Sequence, residues 1–219
     1  MIEKTGPVVA IDGPAGAGKT TLGRRLAEAL DLPFITTGVM YRAVARAALD
    51  GGVDVEDETT LAELAGGLAF SVSATGAPPE LLVAGAPPGE ELQASEVEAV
   101  VSVVARHPEV REVLRAQQRR LGVPGCVMEG RDIGTVVFPD ADVKVFLGAD
   151  PEERAGRRIV ERGAGGSGDL AGALARRDAL DATTNPLRPA DDAHAVDTTG
   201  RTEDEVFDDV LALLQEALG

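Results

Sequence analysis

The 219-residue chain has no tryptophan, one tyrosine, five phenylalanines and one cysteine. A single cysteine, Cys126, excludes an internal disulfide. Its place in an apolar run reads as a buried structural thiol in a reducing cytoplasm. Long hydrophobic runs are missing too, which argues against a membrane-spanning helix. Glu3 and Lys4 run directly into the first motif, so no signal peptide is expected. Positive charge is scarce, with 21 Lys and Arg against 37 Asp and Glu and a formal net charge of −16. Such a surface repels nucleic acid and anionic membranes, and neither is expected as a partner. Lysine is rarest of all, with Lys4, Lys19 and Lys144 the only three beside eighteen arginines.

What is present begins at Val8. The apolar stretch 8–12 runs into Gly13-Pro14-Ala15-Gly16-Ala17-Gly18-Lys19-Thr20, followed by Thr21, a complete G-x-x-x-x-G-K-[ST] loop. Inward-pointing backbone N–H groups at a helix N-terminus surround polyphosphate oxygens, and glycine keeps side chains out of their way. Lys19 then reaches the β and γ phosphates, and the Thr20 hydroxyl offers one ligand to Mg²⁺. Leu22, Leu26, Ala29 and Leu30 follow at helical spacing, so the motif stands between a strand and a helix as this chemistry requires. In so acidic a chain the phosphate site must be a local cationic pocket.

Strand and helix signals alternate along the chain, predicting an α/β fold in which a five-stranded parallel sheet carries helices on both faces. Strands are predicted at 7–12, 32–36, 125–129, 142–148 and 193–197. Helices are predicted near 19–31, 39–51, 93–105, 108–121, 151–162, 169–181 and 202–218. Asp150-Pro151-Glu152-Glu153 reads as a helix start, and Thr202 with Glu205 as a capping box. Residues 69–90, rich in Gly and Pro between short apolar runs, read as a small β insertion of hairpin type. Residues 163–168 spell G-x-G-x-x-G, but they follow an arginine-rich helix and not a strand, which argues against a dinucleotide site. There is no internal repeat.

The arginines carry the next step. Arg154, Arg157 and Arg158 fall at i, i+3 and i+4 on one helix face. They suit either a lid closing over a triphosphate or a solvated face pairing with Glu152, Glu153 and Glu161. Arg42 after Tyr41, and Arg131 with Asp132 just past a strand ending at Glu129, fall where an open α/β sheet collects ligands; a surface ion pair of Arg131 with Asp132 or Asp140 is the alternative.

The segments Ile11 to Lys19, Thr37-Gly38-Val39-Met40-Tyr41-Arg42 and Glu129-Gly130-Arg131-Asp132-Ile133-Gly134-Thr135-Val136-Val137-Phe138-Pro139-Asp140-Ala141 together resemble the bacterial cytidylate kinases. Ser102 to Arg111, Glu153 to Arg158 and Arg177 to Asp181 continue the likeness in order over nearly the whole chain. The resemblance implies one P-loop kinase domain. Its core would be 1–38, 108–150 and 186–219, its monophosphate-binding region 39–107 with the β insertion at 69–90, and its lid about 151–185. It implies ATP and CMP or dCMP as substrates, Mg²⁺ with the ATP, and a monomer. Residues 13–21 would bind ATP; Lys19, Arg131, Arg157 and Arg158 would be catalytic. Arg42 and Arg131, with Tyr41, would grip the acceptor phosphate, and Thr37, Ser102, Arg111 and Asp132 would read the cytosine and its surroundings. Arg177 and Asp181 would hold acceptor phosphate and sugar hydroxyls, although by spacing alone they also suit an i, i+4 ion pair.

One departure stands out. Three residues after Asp181, where such kinases carry an arginine, this chain has Thr184, and only Arg188 beyond Pro186 could replace its charge. A kinase for another small acceptor, such as UMP, GMP or shikimate, also stays open. So does a nucleotide-gated switch, against which stands the lack of an N-K-x-D guanine motif.

Overall fold

The computed structural model describes residues 6–161 and 188–219, the side chains of residues 158–161 excepted. Its strands are β1 (Val8–Asp12), β2 (Phe34–Thr36), β3 (Phe70–Val72), β4 (Leu81–Val83), β5 (Cys126–Gly130), β6 (Val143–Gly148) and β7 (His194–Asp197). The helices are α1 (Lys19–Leu30), α2 (Thr37–Gly51), α3 (Glu58–Gly67), α4 (Ser95–Arg106), α5 (Pro108–Gly122), α6 (Pro151–Glu161) and α7 (Glu203–Leu218). Five strands form a parallel sheet in the order β2-β5-β1-β6-β7, and β3 pairs antiparallel with β4. This is the predicted α/β class. Every residue of β1 and β5 is buried, and all are apolar except Asp12, Glu129 and Gly130 at the strand ends, as in a parallel sheet covered on both sides.

The chain divides into two compact units, one of residues 1–8 and 27–128, the other of residues 9–26 and 129–219. In the first, α2 packs on α4 and α3 on α5. Their shared interior is Met40, Val44, Leu61, Val97, Val101, Val104, Val110 and Leu114, none more than 3% exposed. The insertion forms the expected hairpin, with Phe70 opposite Val83 and Val72 opposite Leu81. Cys126 is buried, and burial pushes its thiol pKa up to about 12, which keeps it protonated and inert.

In the second unit β1 lies beside β6, Val9 opposite Val143 and Asp12 opposite Phe146, and β7 adds to the far side of β6. Arg25 of α1 stacks over Phe207 of α7 at 4.2 Å and pairs with Asp204 at 2.9 Å. The capping box is formed as predicted: Glu205 N–H donates to the Thr202 hydroxyl at 3.3 Å, and Thr202 N–H donates to the Glu205 carboxylate at 2.9 Å.

Several element ends lie one or two residues from the sequence reading, and one helix is unexpected. α2 begins at Thr37 instead of 39, because the chain turns from β2 into the helix without a loop. The helix predicted at 93–105 is split: a short 3₁₀ turn, Glu90–Gln93, precedes extended Ala94, and α4 follows. α3 has no counterpart in the prediction, although Asp57 caps it by accepting the Thr60 N–H at 3.1 Å. The helix predicted at 169–181 lies outside the described residues. Among the described residues no helix is long and apolar enough to cross a membrane.

Candidate active site

β1 ends at Asp12 and delivers the loop 13–18 to the start of α1, where Lys19 is the first helical residue. The loop tolerates only glycine at its tightest points. At Gly13, φ is +149° and an added Cβ would lie 2.3 Å from the Leu147 carbonyl oxygen; at Gly16, φ is +76° and a Cβ would lie 2.7 Å from that of Arg154. Lys19 is buried and its Nζ donates to the Pro14 carbonyl at 2.7 Å, so the ammonium is held across the loop. Thr20 follows, its hydroxyl donating at 2.8 Å to Glu129, a buried carboxylate at the end of β5. Thr21 is half-buried on α1.

Beyond Glu129, Arg131 Nη1 donates to the Gly13 carbonyl at 2.8 Å, and Asp132 is buried next to it. The chain then makes one wide turn, Ile133–Val137, closed by the Phe138 N–H on the Ile133 carbonyl at 2.7 Å. Asp12 caps that turn with both carboxylate oxygens, which accept the N–H groups of Ile133 and Gly134. Burial pushes its pKa up to about 6, against the pull of those two N–H groups; Asp132 adds to the rise and Lys19 opposes it.

The arginines of α6 part company. Arg154 is buried, with Nε on the Ala149 carbonyl at 3.1 Å and Nη1 on the Ala15 carbonyl at 3.2 Å. It buttresses the phosphate loop and is not on a free cationic face, which corrects the reading of all three as one set. The reason is that α6 packs directly against the loop, Ala155 against Ala15. Arg157 donates to the hydroxyl and carbonyl of Thr198 at 2.9 and 2.7 Å and pairs with Glu153. Its guanidinium lies 4.0 Å from where a Cβ on Gly18 would be, at the edge of the loop. The side chain of Arg158, and all of Arg177, Asp181 and Thr184, lie outside the described residues. Arg188 is exposed.

The remaining candidates belong to the other compact unit. Thr37 is buried at the start of α2, with Tyr41 and Arg42 half-buried one turn on. Arg42 pairs with Glu98 and donates to the Leu92 carbonyl at 3.1 Å. Ser102 is half-buried on α4, and Arg111 on α5 donates to the Ala105 carbonyl at 3.3 Å. Sequence reasoning assigned no role to Asp12, Glu129 or Thr198, and placed Arg154 with the lid arginines instead of under the phosphate loop. Only a carboxylate closing each of two buried strands, β1 and β5, hinted at the first pair.

The family model described as cytidylate kinase matches residues 9–216, almost the entire chain. The chain belongs to the cytidylate kinase family. A cytidylate kinase of Rhodococcus jostii (strain RHA1) is 46% identical, covering 97% of this chain and 96% of that protein. One of Geobacillus kaustophilus (strain HTA426) is 43% identical over 96% of this chain and 97% of its own length. Among solved structures, a gluconokinase from Sinorhizobium meliloti 1021 superposes with a TM-score of 0.53 at 16% identity, covering 98% of this chain and 94% of that one. That likeness speaks for the fold alone. As a cytidylate kinase family member, this chain carries both the phosphate loop and the Arg131–Asp132 segment within the matched region.

Proposed function

We propose that the protein transfers the γ-phosphoryl group of Mg·ATP reversibly to CMP or dCMP, giving CDP or dCDP and ADP, as a cytoplasmic monomer. The observation that carries this reading is the meeting of two grips in one compact unit: the phosphate loop with Lys19, and Arg131 bonded to the Gly13 carbonyl at its mouth. A switch needs only the first of these. Membership of the cytidylate kinase family supports the same acceptor.

The donor set fits Mg²⁺. The Thr20 hydroxyl and the Glu129 carboxylate are hard oxygens 2.8 Å apart beside the loop, and this ion binds through one or two such groups plus phosphate oxygens and water. Among the described residues no three His, Cys, Asp or Glu form a cage, and Mg²⁺ needs none. Thr20 and Glu129 would hold the ion, which would supply positive charge to offset that of the phosphate oxygens.

The chain's own residues do the rest. Loop N–H groups and Lys19 hold the β and γ phosphates; Arg131, Arg157 and Arg158 stabilise charge on the transferring group. No general base is called for, because the attacking atom is already an anionic phosphate oxygen, so catalysis is positioning plus electrostatics. Arg42 and Arg131 take the acceptor phosphate beside Tyr41. Thr37, Ser102, Arg111 and Asp132 read the base and its surroundings, while Arg177 and Asp181 hold phosphate and sugar. A coupled ADP-release assay over CMP, dCMP, UMP, GMP and shikimate tests this. Turnover should depend on CMP or dCMP. ATP consumption independent of any acceptor would favour a switch, and preference for another acceptor would reassign the substrate.

A further inference from the structure

The reaction as described leaves Asp12 without a part, yet it is among the most tightly held side chains of the site. It is 6% exposed, with Oδ1 accepting the Ile133 N–H at 2.8 Å and Oδ2 the Gly134 N–H at 2.7 Å. Those are the first two residues after Arg131 and Asp132. The residue that follows β1, Gly13, accepts Arg131 Nη1. Two consecutive residues at the mouth of the phosphate loop thus hold Arg131, Ile133 and Gly134 of one four-residue stretch. Gly134 permits the approach, because a Cβ there would lie 3.2 Å from the Lys144 stem and 3.4 Å from Asp12 Oδ2.

Carboxylate chemistry matters here. An ionised aspartate accepts on both oxygens at once, whereas an asparagine of the same shape would turn an NH₂ group toward one of the two N–H donors. Burying a carboxylate is costly, and the raised pKa of Asp12 reflects that cost. A tie needed only for folding gains little from a group that resists burial, while a tie that must fix two adjacent N–H groups rigidly requires it.

We propose that Asp12 is a positioning residue for the acceptor grip, locking Arg131 and Asp132 in register with the phosphate loop so that donor and acceptor phosphates are held by one rigid piece of backbone. This rests on the reading of Arg131 and Asp132 as acceptor residues. A displacement of the grip by about 1 Å lowers turnover on the order of 10²-fold, without loosening the loop's own hold on ATP.

The test uses the full chain with Asp12→Asn and Asp12→Glu. Steady-state kinetics in CMP, equilibrium titration with ATP, and thermal unfolding are measured for each. The expected result is a folded Asp12→Asn protein that melts no lower than wild type at pH 7.5. Its ATP Kd should stay within about threefold, and its kcat with CMP should fall tenfold to a hundredfold. Asp12→Glu keeps the charge but moves it outward by one methylene, and it should not restore the rate. Turnover of Asp12→Asn within threefold of wild type overturns the inference. So does a parallel loss of ATP affinity, recovery by Glu, or failure of both variants to fold, which would make Asp12 a residue of the fold alone. Should wild type fail to use CMP, the substrate reading falls and takes this role with it; an active wild type with an unaffected variant removes only the role of Asp12.

Discussion

Lys19 and Asp132 show how differently two buried charges at one site are to be tested. Lys19 holds the Pro14 carbonyl, and its charge counts most as charge shifts on the γ-phosphoryl group. Lys19→Ala should lower kcat by about 10²–10³ and leave the far-ultraviolet circular dichroism unchanged; turnover within a few-fold of wild type would remove the loop from the mechanism. Asp132 tests the base. Cytosine presents an amino donor where uracil presents a carbonyl, and an ionised carboxylate only accepts. An unpaired buried group costs on the order of 1–3 kcal/mol, roughly fivefold to 150-fold in kcat/KM favouring CMP over UMP. Asp132→Ala should therefore lose far more activity on CMP than on UMP, and equal losses on a two-substrate assay would end that assignment. At this scale the phosphate loop was legible because its spacing is local. Asp12 and Glu129 were not, since their partners stand 121 and 109 residues away and no local pattern pairs them. Arg154 was misread for the same reason: its i, i+3, i+4 spacing is real, but the Ala15 carbonyl that buries it is distant in sequence.

Elements were read well where chemistry marks their ends. α6 starts at Pro151 and α7 follows its capping box, both as the residues at 150–153 and 202–205 imply. α3 was missed because Gly66 and Gly67 at its end and Thr59 and Thr60 at its start weaken its helical signal; tertiary packing of Leu61 and Ala65, both fully buried, holds it instead. The Gly- and Pro-rich insertion was legible as a hairpin because short apolar runs flank its turn. The capping box offers an element-scale test away from the phosphate loop. Thr202→Ala removes the acceptor for the Glu205 N–H and should cost about 0.5–2 kcal/mol of stability, measured by urea unfolding, while kcat stays at the wild-type value. An unchanged midpoint would mean that α7 is held by packing of Val206, Val210 and Leu214 alone.

The charge of the whole molecule and the buried Asp12 carboxylate act on stability in the same direction. At a formal net charge of −16, self-repulsion eases as acids protonate. Exposed carboxylates with specific partners act oppositely. Asp57, bonded to Thr60, and Glu205, bonded to Thr202, have lowered pKa values, so their contribution is present above the ordinary carboxylate range and is lost only as pH falls below about 4. Asp12 is raised from 3.8 to about 6, so between those values the folded chain binds a proton that the unfolded chain releases. Stability therefore falls as pH rises from about 4 to 6 and levels off above. The shift corresponds to at most about 3 kcal/mol at ~1.4 kcal/mol per pH unit. Thermal unfolding across pH 4.5–7.5 in high salt, where surface repulsion is screened, should then show wild type melting higher at pH 5 than at pH 7. Asp12→Asn, which has no proton to take up there, should show a flatter profile with its gain over wild type concentrated above pH 6. Parallel profiles for the two proteins would mean that Asp12 folds without its desolvation penalty, and the cost attributed to keeping a charge at the mouth of the loop would have to be given up.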